Sequence, residues 1–315
     1  MFRRWLSGFI SKNKEKFGQV FKLGFIAILI AMVALGAIKD RDEKLTDEEK
    51  LQTTYKPRET IAKGDKIKKE EYQVHTNVVN QFVDFCNEGK VQEAYNLLTE
   101  DCKKNLYPTV EKLKEFYCDT YFNQRKTYNL QSWVNKGDKV TYQMRITNDI
   151  MDAGEYDPNS TYQDYITLVE ENGIKKVSIN GFIEEKQLNT ETNTNEFNVK
   201  VTKKEVYMDF VEYSMEVTNL TNNVVLLDDM QVTTYSLRLA SDNEYTYRPR
   251  MNTINYTELL INPGETRKIE IGFNKDYTID SEDELIVFAR VIKNYQEYIK
   301  DIQTYNDFTS IKADV

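Results

Sequence analysis

The chain has 315 residues and a formal net charge of −9, and it is long enough for two domains of ordinary size. Six basic residues and one acid leave the first 22 residues at +5, so the remainder carries −14. An acidic body of this kind does not suit binding to a phosphate backbone, which excludes nucleic acid as a main partner. The abundance of Tyr, Asn, Lys and Ile, with only 5 Pro, is typical of low-GC bacteria.

An apolar run extends from Leu23 to Ile38, sixteen residues without a charged side chain. At about 1.5 Å per residue, a helix of this length spans roughly 24 Å, slightly short of a ~30 Å hydrocarbon core. Apolar residues before the run lengthen it, with Lys22 reaching back to the lipid headgroups. We therefore predict a transmembrane helix at 22–38, with a buried core helix as the alternative.

Basic residues dominate the segment before this run, which favours a cytoplasmic N-terminus and an extracytoplasmic remainder. A cleaved signal peptide has the same orientation but usually a shorter basic region. Ala34-Leu35-Gly36 offers a cleavage site, so cleavage stays open. No cysteine directly follows, which excludes a lipoprotein signal. We expect a retained, single-pass anchor in the cell membrane.

The segments on either side of the anchor differ in character. Residues 1–21 have apolar positions at i, i+3, i+4 and i+7, typical of an amphipathic helix lying on anionic lipid. A solvated basic tail is the alternative. Residues 39–70 carry charges of both signs and few apolar residues, which is typical of a solvated stalk. The alternative is that this stretch belongs to the first folded domain.

Cysteine and histidine are scarce, which limits the chemistry. The odd number of cysteines, Cys86, Cys102 and Cys118, favours small buried residues over a disulfide framework, although one Cys102–Cys118 pair stays open. His75 is the only histidine, which excludes a multi-His metal site and leaves no base for a Ser or Cys nucleophile. We place His75 at the start of a helix and predict no catalytic, cofactor-binding or metal-binding residue.

Residues 71–188 pass from helical to strand periodicity. Three apolar stripes with helical spacing, within 74–86, 91–102 and 110–117, come first. Alternating positions such as Val140, Tyr142, Met144 and Ile146 follow, and Asn172-Gly173 marks a hairpin turn. Helices followed by antiparallel strands predict an α+β domain with helices on one face of a curved sheet.

The first domain resembles the nuclear transport factor 2-like superfamily. The resemblance lies in the stretch VVNQFVDFCNEGKVQEAYNLLTEDCKKNLYPTVEKLKEFY and the strands after it. Residues 93–116 are similar to membrane-tethered bacterial members, including proteins of conjugation and type IV secretion channels. The resemblance implies an α+β cone and an extracytoplasmic role beside one membrane span. Related enzymes use an Asp base and a Tyr donor in the cone, but no residue pair here has a diagnostic spacing.

A second, all-β domain is predicted at 197–300, after a polar linker at 189–196 and before a C-terminal tail at 301–315. Apolar residues alternate in six or seven short segments separated by turn clusters such as TNLTNN and INPGETRK. This pattern predicts an antiparallel β-sandwich, which resembles bacterial immunoglobulin-like domains. Acidic clusters at Asp228-Asp229 and at 280–284 could hold Ca²⁺, with solvated acidic loops as the alternative.

Two functions fit this organisation. The first is a non-enzymatic binding or scaffold protein of the bacterial envelope, in a conjugation- or secretion-like assembly, with protein partners and with homo-oligomers left open. The second is a small-ligand receptor or enzyme that uses the cone, favoured if a polar pair with a shifted carboxylate pKa lies there. The expected contact surface on the helical layer contains more aromatic residues than one inward stripe can bury, the alternative being that all of them are core. These residues are Tyr107, Phe116, Tyr117, Tyr121 and Phe122.

Overall fold

The computed structural model describes residues 63–64, 67–149, 151, 161–230, 236–241, 245–280 and 283–315. All of them belong to one compact unit, Pro57–Val315. The predicted amphipathic segment at 1–21, the predicted transmembrane helix at 22–38 and most of the predicted stalk lie outside the described residues. Among the helices that the structure does describe, none is long and apolar enough to cross a membrane.

Most of the described helical residues lie between 69 and 121, and the first helix is much the longest; short helical turns also occur at Met251–Thr253, Tyr256–Leu259 and Tyr295–Tyr298. Helix α1, Lys69–Asn87, buries Val79, Phe82 and Cys86 at the spacing of one helical face. It ends at Asn87, and Gly89 follows with a φ of 68°, a backbone conformation that glycine adopts without strain. The segments that follow are α2, Val91–Asn96; α3, Glu100–Asn105; α4, Val110–Leu113; a π-helix, Lys114–Cys118; and α5, Asp119–Tyr121.

The second predicted helix is divided in two because the chain extends to reach a distant strand. The Thr99 N–H donates to the Val177 carbonyl, and the Val177 N–H donates to the Leu97 carbonyl, each at 2.9 Å. The Thr99 hydroxyl then accepts a hydrogen bond of 3.2 Å from the Cys102 N–H and so caps α3.

The first sheet has the strand order β1-β2-β3-β4-β5 and packs against these helices. The hairpin between β4 and β5 turns at Asn172 and Gly173, whose φ angles of 53° and 77° match the predicted two-residue turn and confirm it. The strands are β1, Lys63–Gly64; β2, Lys126–Lys136; β3, Lys139–Asn148; β4, Tyr162–Glu171; and β5, Ile174–Ser178.

Strand β6, Phe182–Asn193, contributes to two hydrophobic cores. Phe182 packs into the core between the helices and the first sheet, while Ile183 packs into the core of the β-rich part that follows. Adjacent residues of a strand point to opposite faces, so one strand can serve both cores. Residues 189–193, predicted as a linker, lie in this strand, and a hydrogen bond of 2.8 Å from the Thr194 N–H to the Phe197 carbonyl closes the hairpin to β7.

Two further sheets enclose the second core. One has the order β13-β8-β7-β6, and the other has the order β11-β10-β14-β9-β12 with β15 paired to β14. The remaining strands are β7, Phe197–Tyr207; β8, Val211–Asn219; β9, Val225–Leu226; β10, Leu237–Ala240; β11, Thr246–Tyr247; β12, Leu260–Ile261; β13, Thr266–Phe273; β14, Leu285–Ile292; and β15, Phe308–Asp314, the last of which lies in the predicted C-terminal tail.

The predicted fold class, a transmembrane helix with an α+β cone and then a sandwich, is wrong. The described part of the chain is mostly β-sheet, with 45% strand against 24% helix. It does not form that cone, and none of its helices is long and apolar enough to cross a membrane. The physical reason lies in the helical layer. Three apolar stripes predicted three full helices, but the second is interrupted by pairing with β5 and the third is a series of short turns.

Candidate functional site

A groove of about 390 Å³ lies where the first sheet meets the β-rich part. One wall is the hairpin between β2 and β3, which turns at Gly137-Asp138 with Gly137 at a φ of 65°. The opposite wall is the loop after β13, held by a hydrogen bond of 3.1 Å from the Lys136 ammonium to the Tyr277 carbonyl. The volume lies within the usual range for ligand pockets.

The groove is lined mainly by charged side chains of both signs. Lys139 binds Glu184 at 3.0 Å, and Lys186 binds the same carboxylate at 2.8 Å. Burial raises the pKa of Glu184, but the hydrogen bonds from Lys186 and Lys139 outweigh it and hold that pKa below its usual value. The lining lysines are Lys136, Lys139, Lys186, Lys204 and Lys275, and the lining acids are Asp138, Glu184, Asp276 and Asp280.

A buried carboxylate, Glu284, lies behind the groove and holds two of these lysines. It binds Lys204 at 2.7 Å and also binds Lys275, and it accepts a hydrogen bond of 2.8 Å from the Tyr213 hydroxyl. Glu284 is 6% exposed. Burial lowers the pKa of Lys204 more than the charge of Glu284 raises it. The arrangement fixes the lysines in place and suits binding of a ligand that carries both charge signs.

A second polar cluster lies in the first core. The Tyr117 hydroxyl donates a hydrogen bond of 2.7 Å to Asp164 on β4. Burial raises the pKa of Asp164 to about 6, although this hydrogen bond and those from the backbone of Asn180, Tyr165 and Gly181 act in the opposite direction. A carboxyl group with such a pKa can accept and release a proton near neutral pH.

The surroundings of this pair are aromatic. The ring of Tyr117 packs against Tyr107, Tyr121 and Phe122, with centroids 5.0–6.2 Å away. Burial raises the pKa of Tyr117 well above its usual value, and the charge of Asp164 adds to the effect. Tyr117 therefore stays protonated and acts as a hydrogen-bond donor to the carboxylate.

The five aromatic residues of the expected contact surface divide between core and surface. Tyr107 and Tyr117 are buried, and Tyr121 and Phe122 are half-buried. Phe116 alone among the five is largely exposed, at 53%. Because only one large side chain of the set faces solvent, these residues do not form a contiguous aromatic surface.

His75 lies in α1, four residues before Val79, and is fully buried. Its Nδ1 atom lies 2.8 Å from the Tyr142 hydroxyl. Burial lowers the pKa of the imidazole, and the charge of Lys175 lowers it further against the opposing charge of Glu71. A buried, neutral histidine with a tyrosine partner acts here as part of the core.

The three cysteines are free thiols buried in the first core. Cys118 does not face Cys102, the partner left open by the sequence. Its sulfur lies 3.6 Å from that of Cys86.

The acidic pair Asp228-Asp229, considered for Ca²⁺, is engaged with protein groups, whereas Glu282 of the second acidic cluster lies outside the described residues. Asp228 accepts hydrogen bonds from the Met230 N–H, at 2.7 Å, and from the Ser236 hydroxyl. Asp229 accepts a hydrogen bond of 3.1 Å from the Tyr298 hydroxyl. Within the part of the chain that the structure describes, no group of three or more His, Cys, Asp or Glu residues could hold a metal ion.

Sequence reasoning missed both the groove and the Asp164 cluster. The groove joins four separate chain segments, so no local pattern marks it. Asp164 does carry a signal, because it lies on the same strand face as Ile166 and Leu168, which are buried. An acidic residue on the inward face of an alternating strand is a candidate for a carboxylate that has a hydrogen-bond partner and a shifted pKa.

The comparisons with known proteins add little. No family model and no curated protein matches the chain. It is similar to a solved structure, a conserved hypothetical protein from Bacillus anthracis, at 14% identity and a TM-score of 0.24. That match covers 33% of this chain and 89% of that protein, and at such a TM-score it carries no argument about fold or function. The family resemblances of the sequence therefore stay predictions.

Proposed function

We propose that this chain is a membrane-anchored, extracytoplasmic binding protein of a bacterial envelope, and that it binds a protein partner in the groove behind the β2–β3 hairpin. The observation that carries the proposal is the groove itself, with lysines and carboxylates held in ion pairs along its lining. A partner segment that carries charges of both signs can replace the outer ion pairs without leaving a charge uncompensated.

The ion pairs at the rim differ from those at the floor in a way that suits binding. The Lys186 side chain is 55% exposed, while the side chains of Lys275 and Glu284 are 9% and 5% exposed. Exposed pairs are worth little and exchange readily, whereas buried pairs hold the framework. The rim can therefore reorganise around a partner while the floor keeps its shape.

A photocrosslinking amino acid placed at Lys186 in the full-length protein tests this proposal in native membranes. The matched control is Lys268 on β13, whose side chain is 86% exposed and lies outside the groove. We expect the probe at 186 to capture a protein that the probe at 268 does not. Equal capture at both positions, or none at 186, contradicts the proposal.

The membrane part of the proposal rests on the apolar run Leu23–Ile38 and its basic flank. Protease added to intact protoplasts should remove the part of the chain after the run and leave the N-terminal segment protected. A mature protein that begins near Ile38 would instead show that the segment is a cleaved signal.

A second candidate function is a small-ligand receptor or enzyme that uses Tyr117 and Asp164. It is favoured by the polar pair itself, in which the pKa of the carboxyl group is raised. Asp164→Asn in the full-length gene tests it. If the folded variant no longer replaces the wild-type protein in cells that lack the gene, this candidate is supported. If the variant still replaces it, and the probe at position 186 captures a partner, the groove is supported.

A further inference from the structure

Two buried thiols meet between α1 and the π-helix. Cys86 lies in the last turn of α1, and Cys118 is the last residue of the π-helix. Each residue is 4% exposed, and their sulfur atoms lie 3.6 Å apart. The third thiol, Cys102, is in contact with Ser178 and Ile179 instead.

The π-helix explains why Cys118 points at Cys86. The Asp119 N–H donates to the Lys114 carbonyl, a bond over five residues that widens the turn. With this winding both Tyr117 and Cys118 are buried, at 0% and 4% exposed. Tyr117 reaches Asp164 while its neighbour reaches Cys86, so two adjacent side chains both make specific contacts in one core.

The two sulfur atoms are in non-bonded contact. A disulfide has a sulfur–sulfur distance of about 2.05 Å, so the two atoms need to approach by about 1.5 Å. One thiol of the pair is also suited to attack. The hydrogen bond with Cys86 lowers the pKa of Cys118, against burial and the charge of Asp119, and the charge of Lys114 lowers it further. The same hydrogen bond and burial raise the pKa of Cys86.

We propose that Cys86 and Cys118 are a redox pair that closes to a disulfide between α1 and the π-helix. The Cys118 thiolate attacks one sulfur of a low-molecular-weight disulfide. The sulfur–sulfur bond of that disulfide breaks, one half leaves as a thiolate, and the other half forms a mixed disulfide with Cys118. Cys86 loses its proton, and its sulfur then attacks Cys118 and displaces the second thiolate. Two protein thiols are oxidised, and one external disulfide is reduced to two thiols.

The bond would tie α1 to the π-helix, the segment that carries Tyr117 of the Asp164 cluster. It would close a loop that contains α2, α3 and α4, which lowers the entropy of the unfolded chain and stabilises the fold. Disulfides persist outside the cytoplasm, so the proposal agrees with an extracytoplasmic location, but the chemistry does not depend on that location.

The experiment uses the purified full-length protein, reduced and then treated with oxidised glutathione in its native state. After denaturation, free thiols are alkylated and counted by intact mass, and peptide mapping identifies the linkage. We expect three labelled thiols before oxidation and one afterwards, at Cys102, with a peptide that joins Cys86 to Cys118. The oxidised protein should melt roughly 5–10 °C higher than the reduced protein.

Matched variants separate the pair from the third cysteine. Cys102→Ala should still form the bond, whereas Cys86→Ser should stop at a glutathione adduct on Cys118. The wild-type measurement does not depend on the folding of any variant. Three labelled thiols after oxidation of the folded protein, or a linkage between Cys102 and Cys118, would overturn the proposal.

Discussion

The Tyr117 hydroxyl donates a hydrogen bond of 2.7 Å to the carboxylate of Asp164, which joins the π-helix to β4 across 47 residues of sequence. Burial raises the pKa of this carboxyl to about 6. Tyr117 therefore stabilises the negative charge of Asp164, which burial disfavours. Substitution of either residue tests the pair.

Replacing Tyr117 by phenylalanine should remove the donor and leave the carboxylate less well solvated. We expect Tyr117→Phe to move the pKa of Asp164 further up and to lower the free energy of unfolding at pH 7 by about 1–3 kcal/mol. Urea unfolding at pH 7 measures the change. Tyr121→Phe is the control, because the Tyr121 ring packs on Tyr117 with a centroid distance of 5.0 Å but its hydroxyl does not bind Asp164.

The raised pKa of Asp164 predicts a stability that falls as pH rises. Between its usual pKa of 3.8 and the native value of about 6, the folded protein binds this proton more tightly than the unfolded chain does. Its contribution therefore decreases through that window, and above pH 6 the charged form costs about 1–3 kcal/mol. We expect Asp164→Asn to stabilise the protein more at pH 8 than at pH 4, as measured by urea unfolding at both. An equal effect at the two pH values would contradict the prediction.

His75 should change the pH dependence of stability in the opposite direction to Asp164. Burial lowers its pKa from 6.5, so the unfolded chain binds the proton more tightly, and this contribution to stability is lost as pH falls below 6.5. Since His75 is the only histidine, its imidazole gives a single set of NMR signals to titrate. We expect the imidazole of the folded protein to titrate with a midpoint below pH 6.5. His75→Gln should remove the loss of stability at acid pH, and a midpoint at or above 6.5 would contradict the lowered pKa.

Removing the buried carboxylate of Glu284 should lower the free energy of unfolding far more than removing an exposed carboxylate. Glu284→Gln leaves Lys204 and Lys275 without the charge that binds them both, and we expect a loss of about 3–5 kcal/mol in the free energy of unfolding. The control is Glu216→Gln, whose pairing with Lys268 at 3.8 Å is solvent-exposed and should cost less than about 1 kcal/mol. Similar losses in thermal and urea unfolding for the two variants would show that Glu284 is not a structural ion-pair centre.

Local patterns in the sequence predict much of the strand structure. Val140, Tyr142, Met144 and Ile146 alternate in the sequence, and all four are buried along β3. The Asn172-Gly173 turn follows from the two positive φ angles that a tight hairpin needs. In each case the signal and the structure span the same few residues.

Long-range pairing accounts for what the sequence does not predict. The helical stripe through Leu97 and Leu98 continues without a break in the sequence, but Leu98 bridges to Val177 in the sheet. Asp164 and its partner Tyr117 are 47 residues apart, and Cys86 and Cys118 are 32 residues apart, so neither contact is marked by a local pattern. The groove depends on the packing of four segments, so none of its residues stands out locally.

The double role of β6 also bears on how such a protein can be cut and recombined. Phe182 belongs to one core and its neighbour Ile183 to the other, so no peptide bond near this point separates the two parts cleanly. A fragment that starts at Phe197 would leave β7 as an unpaired edge, and a fragment that stops before β6 would leave a hole where Phe182 packs. The two parts are therefore not exchangeable modules, and a chimera that swaps either one needs to carry β6 with residues suited to both neighbours.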